Sequence, residues 1–181
     1  MSKEDCILCQ IVEGSVPSET VYEDNEVVAV LDVNGANPGH AFVFPKQHHT
    51  IFEQVPESLV SKTFLVANKV SSAIFDTLQV EGTNLFVTNG IAAGQQVAHF
   101  MVNVIPRKSN DGINLTWQPQ KLSDEEMDTL ELQLKEACKH VGVGGETGPA
   151  LEAPSAVQKV SETDSETGDE NYLFRQMKRL P

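Results

Sequence analysis

Five short segments with the composition of β-strands constrain the fold of this chain most. They are apolar or rich in β-branched residues, they are bounded by Pro, Gly or Asn, and they cover Thr20–Glu23, Val27–Asp32, Ala41–Phe44, Asn84–Thr88 and His99–Ile105. One long helical pattern, over residues 57–77, interrupts the series of strands. Strands and helices therefore do not alternate as they do around a parallel sheet. The sequence therefore predicts an α+β fold with an antiparallel sheet.

A second helix is predicted after the last strand. It begins at Ser123, where Glu126 three residues later completes a capping-box pattern, and Gly142 is expected to end it. Its apolar positions share one face, and the last of them, Cys138, is expected to be a small core side chain. With this helix the chain forms one predicted domain, residues 1–142.

The composition changes beyond that domain. Residues 143–170 are acidic and rich in Gly, Ser, Thr and Glu, so they can bury little apolar surface and are interpreted as a linker. Residues 171–181 form an amphipathic basic segment that mixes aromatic, aliphatic and basic side chains. This segment is either a frayed terminus or a docking peptide that orders on a protein partner or on its own core.

The charge of the chain bears on its partners and location. The 181 residues include 26 acidic and 13 basic side chains, for a net charge of −13, which argues against nucleic acid or an anionic membrane as a partner. Arg107 and Lys108, just past the last strand, are expected to be solvated charges. No apolar run approaches the roughly 20 residues of a membrane span, and three cysteines cannot build a disulfide framework. We therefore expect a cytoplasmic protein.

A Cys-x-x-Cys pair near the start is the first candidate for a functional site. Cys6 and Cys9 have the spacing of a zinc clamp, of a redox dithiol, or of two ordinary thiols. Histidines are available to complete a metal site, because His48 and His49 follow one predicted strand and His99 opens the last one. A Cys₂His₂ set drawn from these places is a common zinc site.

The last predicted strand separates two sets of side chains. Since side chains alternate along a strand, Phe100, Val102 and Val104 should face the core. His99, Met101 and Asn103 then share the opposite side, which is expected to border a polar cleft.

Two loops add weaker signals. The small-residue loop 89–96 has backbone N–H groups that are able to approach a phosphate, although such loops are more often simple turns. Asp32, at a strand end, is suited to ribose hydroxyls, although stabilising a turn is its commoner role.

Taken in order, these segments resemble the histidine triad (HIT) family. The resemblance spans residues 5–108 and rests on Cys-x-x-Cys, Asn-Pro-Gly-His-Ala-Phe-Val-Phe-Pro-Lys-Gln-His, Asn-Gly-x-Ala-Ala-Gly-Gln, and Val-x-His before Val-Ile-Pro-Arg. It implies an α+β fold with a five-stranded sheet and two main helices, and a homodimer whose sheets join edge to edge. It also implies hydrolysis or transfer of nucleoside monophosphates, with a purine nucleotide such as AMP as ligand.

The defining triad of the family is altered in this chain. The family pattern His-x-His-x-His matches His99, Met101 and Asn103. The central histidine of the family attacks the α-phosphate, whereas a methionine thioether has no proton to shed and cannot act as acid or base. No catalytic residue is therefore assigned, and a nucleotide-binding pseudoenzyme is predicted. The alternatives are a residual hydrolase using another base, such as His49, and a scaffold protein acting through residues 171–181.

The resemblance also implies the remaining site residues. The zinc-binding members of the family use positions that match Cys6, Cys9, His48 and His99, which implies structural Zn²⁺. The implied nucleotide-binding positions are Asp32, Asn89, Gly94, Gln95, Gln96, Met101 and Asn103.

Overall fold

The computed structural model describes residues 3–140 of the chain. The predicted linker 143–170, the predicted basic segment 171–181 and Gly142 lie outside the described residues. Within residues 3–140, no helix has both the length and the apolar character needed to cross a membrane.

Five strands form one antiparallel sheet, which confirms the predicted fold class. The strands are β1 to β5 in chain order, they follow one another across the sheet as β1-β2-β3-β5-β4, and they comprise Thr20–Glu23, Val27–Leu31, Ala41–Pro45, Gly82–Phe86 and Val102–Arg107. Asp24 closes the first hairpin, because its Oδ1 accepts from the N–H groups of Glu26 and Val27 at 2.8 Å each. This carboxylate supplies the acceptor that a tight turn needs.

Helices cover the two faces of the sheet. The long helix α2, Glu57–Leu78, buries Val66, Val70 and Ile74 in a core shared with the strands, and this core contains Phe100, Val102 and Val104. A short helix, α1, spans Ile7–Val12, and its Leu8 packs on the other face in a cluster that includes Met101. The predicted alternation of residues 100–104 is therefore confirmed.

The last strand begins later than predicted, at Val102 instead of His99. The backbone ahead of it bonds outside the sheet, because the N–H of Phe100 donates to the carbonyl oxygen of His49 at 2.6 Å. The N–H of His99 donates to the carbonyl oxygen of Val97 at 2.8 Å. These bonds fold residues 97–101 against the loop after β3.

The final described helix, α3, spans Asp124–Ala137 and is followed by one 3₁₀ turn. Its predicted capping box is confirmed, because the N–H of Glu126 donates to Ser123 Oγ and the Ser123 N–H donates back to the Glu126 carboxylate. The predicted core position of Cys138 is wrong, since this residue is exposed and α3 buries no side chain. Helical spacing identifies an apolar face but does not supply an element to pack against it.

The loop Asp32–His40 is anchored at the far end of β5. Asn37 Nδ2 donates to the carbonyl oxygen of Pro106 at 2.8 Å and to Asp111 Oδ2 at 2.9 Å. These bonds matter for function because the loop begins and ends at residues of the candidate site described below.

Asp111 organises this anchor. It accepts from Arg107 Nε at 2.6 Å and from the N–H of Ile113 at 2.9 Å. Arg107 is therefore paired, and the expectation that it is a solvated charge is wrong. The guanidinium, followed by the Ile113 N–H, holds the pKa of the Asp111 carboxyl well below its usual range.

We predict that Asp111→Asn lowers the melting temperature at pH 7, because one acceptor loses its charge. A carboxyl whose pKa is depressed in the folded state stabilises the protein above its unfolded pKa of about 3.9 and loses that contribution as pH falls through the folded pKa. The gap in melting temperature between wild type and variant should therefore shrink as the pH drops below about 4. Asp128→Asn, on exposed α3, serves as the control. A gap that stays constant with pH would contradict the assignment.

Candidate metal centre and ligand cavity

Two cysteines and two histidines from distant parts of the chain converge at the start of α1. The Nδ1 atom of His99 lies 3.4 Å from Cys6 Sγ and 3.6 Å from Cys9 Sγ. The Nδ1 atom of His48 lies 3.2 Å from Cys9 Sγ. The four donor atoms lie within 4.8 Å of one another, so these side chains form a candidate metal-binding cluster. The neighbouring His49 is buried, and its Nε2 has no hydrogen-bond partner among the described residues.

The protonation of the two rings suits metal binding. Nε2 of His99 lies 2.9 Å from the carbonyl oxygen of Pro45, so this nitrogen carries the proton and leaves the Nδ1 lone pair free. Burial lowers the pKa of His99 to about 4 and also lowers the pKa of His48, so both rings are neutral at pH 7. Burial, reinforced by Cys6, raises the pKa of Cys9 to about 11, so a bound cation must displace a proton from this thiol.

The spacing of the donors fits a tetrahedral ion. Bonds of about 2.3 Å to sulfur and about 2.0 Å to nitrogen place the two kinds of ligand roughly 3.6 Å apart in a tetrahedron. The sulfur–nitrogen distances given above, 3.2 to 3.6 Å, agree with this geometry. Four protein ligands leave no open position for substrate, so such an ion would have a structural role.

A cavity of about 590 Å³ lies between α1, the end of β2 and the loops that lead into β3 and β5. Its volume is within the range of small-molecule sites, about 300–1,000 Å³. Ile7 and Ile11 of α1 form an apolar part of the wall, and Met101 contributes its thioether. The helix that begins at the metal cluster therefore also borders this cavity.

Four of the seven residues predicted to bind nucleotide line the cavity, namely Asp32, Gly94, Gln96 and Met101. Asn89 and Gln95 instead hold the loop in place. Asn89 Nδ2 donates to Glu53 Oε1 at 2.8 Å, and Gln95 Nε2 donates to the carbonyl oxygen of Thr50 at 2.7 Å. Their amide groups are thus used in hydrogen bonds within the protein.

Asn103, the seventh predicted residue, is buried beside His40. Its Oδ1 lies 3.3 Å from His40 Nε2, and its Nδ2 donates to the carbonyl oxygen of Phe86 at 3.4 Å. The N–H of Ala36 donates to His40 Nδ1 at 3.2 Å, so Nε2 carries the proton and donates to Asn103. Each polar atom of the Asn103 amide thereby has one partner within the protein, and Nδ2 retains a second N–H.

His40 is a cavity residue that the sequence interpretation did not select. It lines the cavity, and its Nδ1 lies 3.4 Å from Asp32 Oδ2. Burial lowers the pKa of His40, against the opposing effect of the Asp32 charge, so the ring is neutral at pH 7. The available signal was a histidine placed directly between a Pro-Gly turn and a strand.

Comparison with known proteins identifies the family. The model of the HIT domain matches residues 13–110, which is more than half of the chain, so this protein belongs to the HIT family. The protein hit of Bacillus subtilis is 37% identical over 116 residues, a match that covers 64% of this chain and 80% of the relative.

Solved structures have the same fold. A HIT family protein from Bacillus subtilis has a TM-score of 0.70 at 30% identity, and the match covers 77% of this chain and 99% of the other. A histidine triad nucleotide-binding protein from Candida albicans has a TM-score of 0.67 at 27% identity, covering 74% and 96%. A zinc-bound histidine triad protein from Mycobacterium smegmatis has a TM-score of 0.60 at 28% identity, covering 75% and 99%.

Proposed function

We propose that this protein is a zinc-stabilised HIT-family pseudoenzyme that binds a nucleotide without hydrolysing it. The observation that carries this proposal is the side chain of Met101 in the cavity wall, at the position that matches the family nucleophile. A thioether cannot be deprotonated, and its bond to phosphorus would leave an unstable sulfonium. The covalent route of the family is therefore closed to this side chain.

The other nearby histidines are poorly placed to replace the missing nucleophile. His49 is buried and is not among the described residues that line the cavity. His40 does line it, but both ring nitrogens already have partners in Ala36 and Asn103. A general base needs a nitrogen within hydrogen-bond reach of the water that it activates. These contacts support the inactive reading over the residual hydrolase.

We further propose that the Cys/His cluster binds Zn²⁺. Two thiols and two imidazoles are a donor set that zinc prefers, and a similar structure is named as zinc-bound. Zinc would tie the N-terminal segment to the loop after β3 and to the residues before β5, while α1 itself has only six residues. A helix this short is not stable alone, so its position depends on packing and on these ligands.

The exposed face of α2 supports the predicted homodimer. Phe64, Phe75 and Leu78 are apolar and at least a third exposed, and they flank the face that the helix buries in the core. β4 lies next to this helix, since Ser71 Oγ is 2.6 Å from Thr83 Oγ1, and it is an edge strand with unpaired backbone groups. An apolar helix face next to an open sheet edge suits a second copy of the chain, with the sheets joined edge to edge.

The test of inactivity is calorimetry with an adenosine 5′-phosphoramidate injected into zinc-loaded protein. We expect a binding heat that saturates, with no sustained power. Losing one triad histidine should lower the rate by a factor on the order of 10³, which corresponds to about 4 kcal/mol of lost transition-state stabilisation. Met101→His is the comparison variant, and turnover gained there would show that the rest of the site is competent. Sustained power proportional to wild-type protein concentration would overturn the proposal.

For the metal, Cys9→Ser is expected to abolish stoichiometric zinc in elemental analysis and to lower the melting temperature. Free zinc at about a thousand times its Kd stabilises a folded protein by about 4 kcal/mol, and this contribution disappears with the site. Cys138→Ser is the matched control, because Cys138 is exposed and outside the cluster. Equal zinc contents in the two variants would contradict the assignment.

For the dimer, Phe75→Glu should shift the molar mass measured by light scattering from that of two chains to that of one. A charge buried in an apolar interface has no partner there, so association becomes unfavourable. Val21→Glu on β1 is the control, since Val21 is 51% exposed and Phe75 is 50% exposed, but they lie on different elements. A dimer that survives Phe75→Glu would place the interface elsewhere.

A further inference from the structure

The N-terminal segment, residues 6–18, takes part in both sites of this protein. It supplies Cys6 and Cys9 to the candidate metal centre. It also forms one side of the cavity, called the N-terminal wall here, whose residues are Ile7, Leu8, Ile11, Val16, Pro17 and Ser18. Each cysteine is the sequence neighbour of a wall residue, so a movement of the two cysteines displaces this wall.

A second side of the cavity contains another member of the metal centre. Val97 and Met101 line the cavity, and His99 lies midway between them in sequence. The backbone of this segment is tied to the loop after β3, because the N–H of Phe100 donates to the carbonyl oxygen of His49 at 2.6 Å. Residues 97–101 are therefore a fixed base to which a bound ion attaches the N-terminal wall.

The N-terminal wall has weak anchors outside the metal centre. Helix α1 has only six residues, and its N-cap residue Cys6 makes no side-chain capping bond. The ion pair between Lys3 and Glu13 is more than half exposed at both side chains, so its contribution to stability is small. Apolar packing of Leu8 and Val12 against the sheet also holds the helix. A helix this short does not persist alone, so the wall depends on these few contacts.

The four Cys/His side chains join the two sides of the cavity weakly unless an ion is bound. A thiol is a weak hydrogen-bond donor, and the sulfur–nitrogen distances of 3.2 to 3.6 Å allow only bonds of this weak kind. With an ion bound, coordinate bonds fix Cys6 and Cys9 on one side to His99 on the other. Removal of the ion therefore loosens the N-terminal wall and leaves residues 97–101 in place.

We infer that metal binding at the Cys/His cluster regulates the affinity of the cavity for its nucleotide, because the ion joins two sides of that cavity. A cavity whose wall is ordered in only a fraction of the molecules binds its ligand with an affinity reduced by that fraction. The coupling is reciprocal, so a bound nucleotide raises the affinity for the metal by the same factor. The inference rests on the proposed function, because it concerns the regulation of the same cavity.

The experiment measures both directions of the coupling on the full-length protein. Calorimetry gives the Kd of AMP for zinc-loaded protein and for protein stripped of metal by a chelator, and we expect the Kd to rise about tenfold or more without zinc. Competition with a chromogenic chelator gives the Kd of zinc, which should fall by the same factor when AMP is saturating. The same titration without protein corrects for direct binding of zinc by AMP.

Hydrogen exchange locates the effect in the chain. Backbone amides of residues 7–18 should exchange faster after zinc is removed, and AMP should slow them in the zinc-loaded protein. Amides of the buried face of α2, such as those of Val66 and Val70, should keep their protection, because they belong to the core on the other face of the sheet. An equal loss of protection in α2 would mean that the metal stabilises the whole fold, and it would overturn the inference.

Val12→Ala weakens the anchor of the N-terminal wall that does not depend on metal. Val12 packs against the cluster that contains Leu8, and it is not among the described residues that line the cavity. The AMP Kd of the zinc-loaded variant should stay close to that of wild type, while the ratio of metal-free to zinc-loaded Kd should increase. Val21→Ala, on exposed β1, removes the same methyl groups and should leave the ratio unchanged. An unchanged ratio in Val12→Ala would show that α1 does not carry the coupling.

The possible outcomes separate the two proposals. Equal AMP affinities of the zinc-loaded and the metal-free protein overturn this inference and leave the proposed nucleotide-binding function intact. A zinc affinity that AMP does not change has the same consequence. If AMP fails to bind even the zinc-loaded protein, the proposed function fails, and the inference fails with it.

Discussion

Side chains alternate along residues 99–104, and this alternation connects every functional part of the protein. Phe100, Val102 and Val104 enter the core under α2, so the segment cannot turn over without exposing them. The same constraint sends His99 to the two cysteines and Met101 to the cavity wall. The packing of this one segment thus positions a ligand of the candidate metal centre and a residue of the cavity wall.

Helix α1 joins these two sites from the other side. Its first residues follow Cys6, its Leu8 packs against the sheet, and its Ile7 and Ile11 border the cavity. Six residues of helix hold little free energy of their own. The order of this cavity wall therefore depends on the contacts that hold the helix in place. The four Cys/His side chains of the candidate metal centre supply several of these contacts.

Much of this arrangement follows from local sequence patterns, and each wrong prediction has a physical cause. The hairpin at Asp24, the helix over residues 57–77 and the capping box at Ser123 depend on neighbours in sequence, and all three are present. The predicted start of β5 was wrong because the N–H of Phe100 donates to the carbonyl oxygen of His49, a residue distant in the sequence, instead of to a neighbouring strand. The predicted core position of Cys138 was wrong because an apolar helix face does not specify which element covers it.

The sequence by itself determined the α+β class, the HIT family and the loss of the central triad histidine, because these depend on residue identity, order and spacing. Residue spacing alone left two histidines after β3 as metal candidates, the family resemblance implied His48, and the tertiary structure places His48 Nδ1 beside Cys9 Sγ. Only the structure showed that the Asn103 amide is engaged by His40 and Phe86, and that Asp32 is the one formal charge among the described cavity residues. Contacts between residues distant in the chain depend on packing in three dimensions, which spacing along the sequence does not specify.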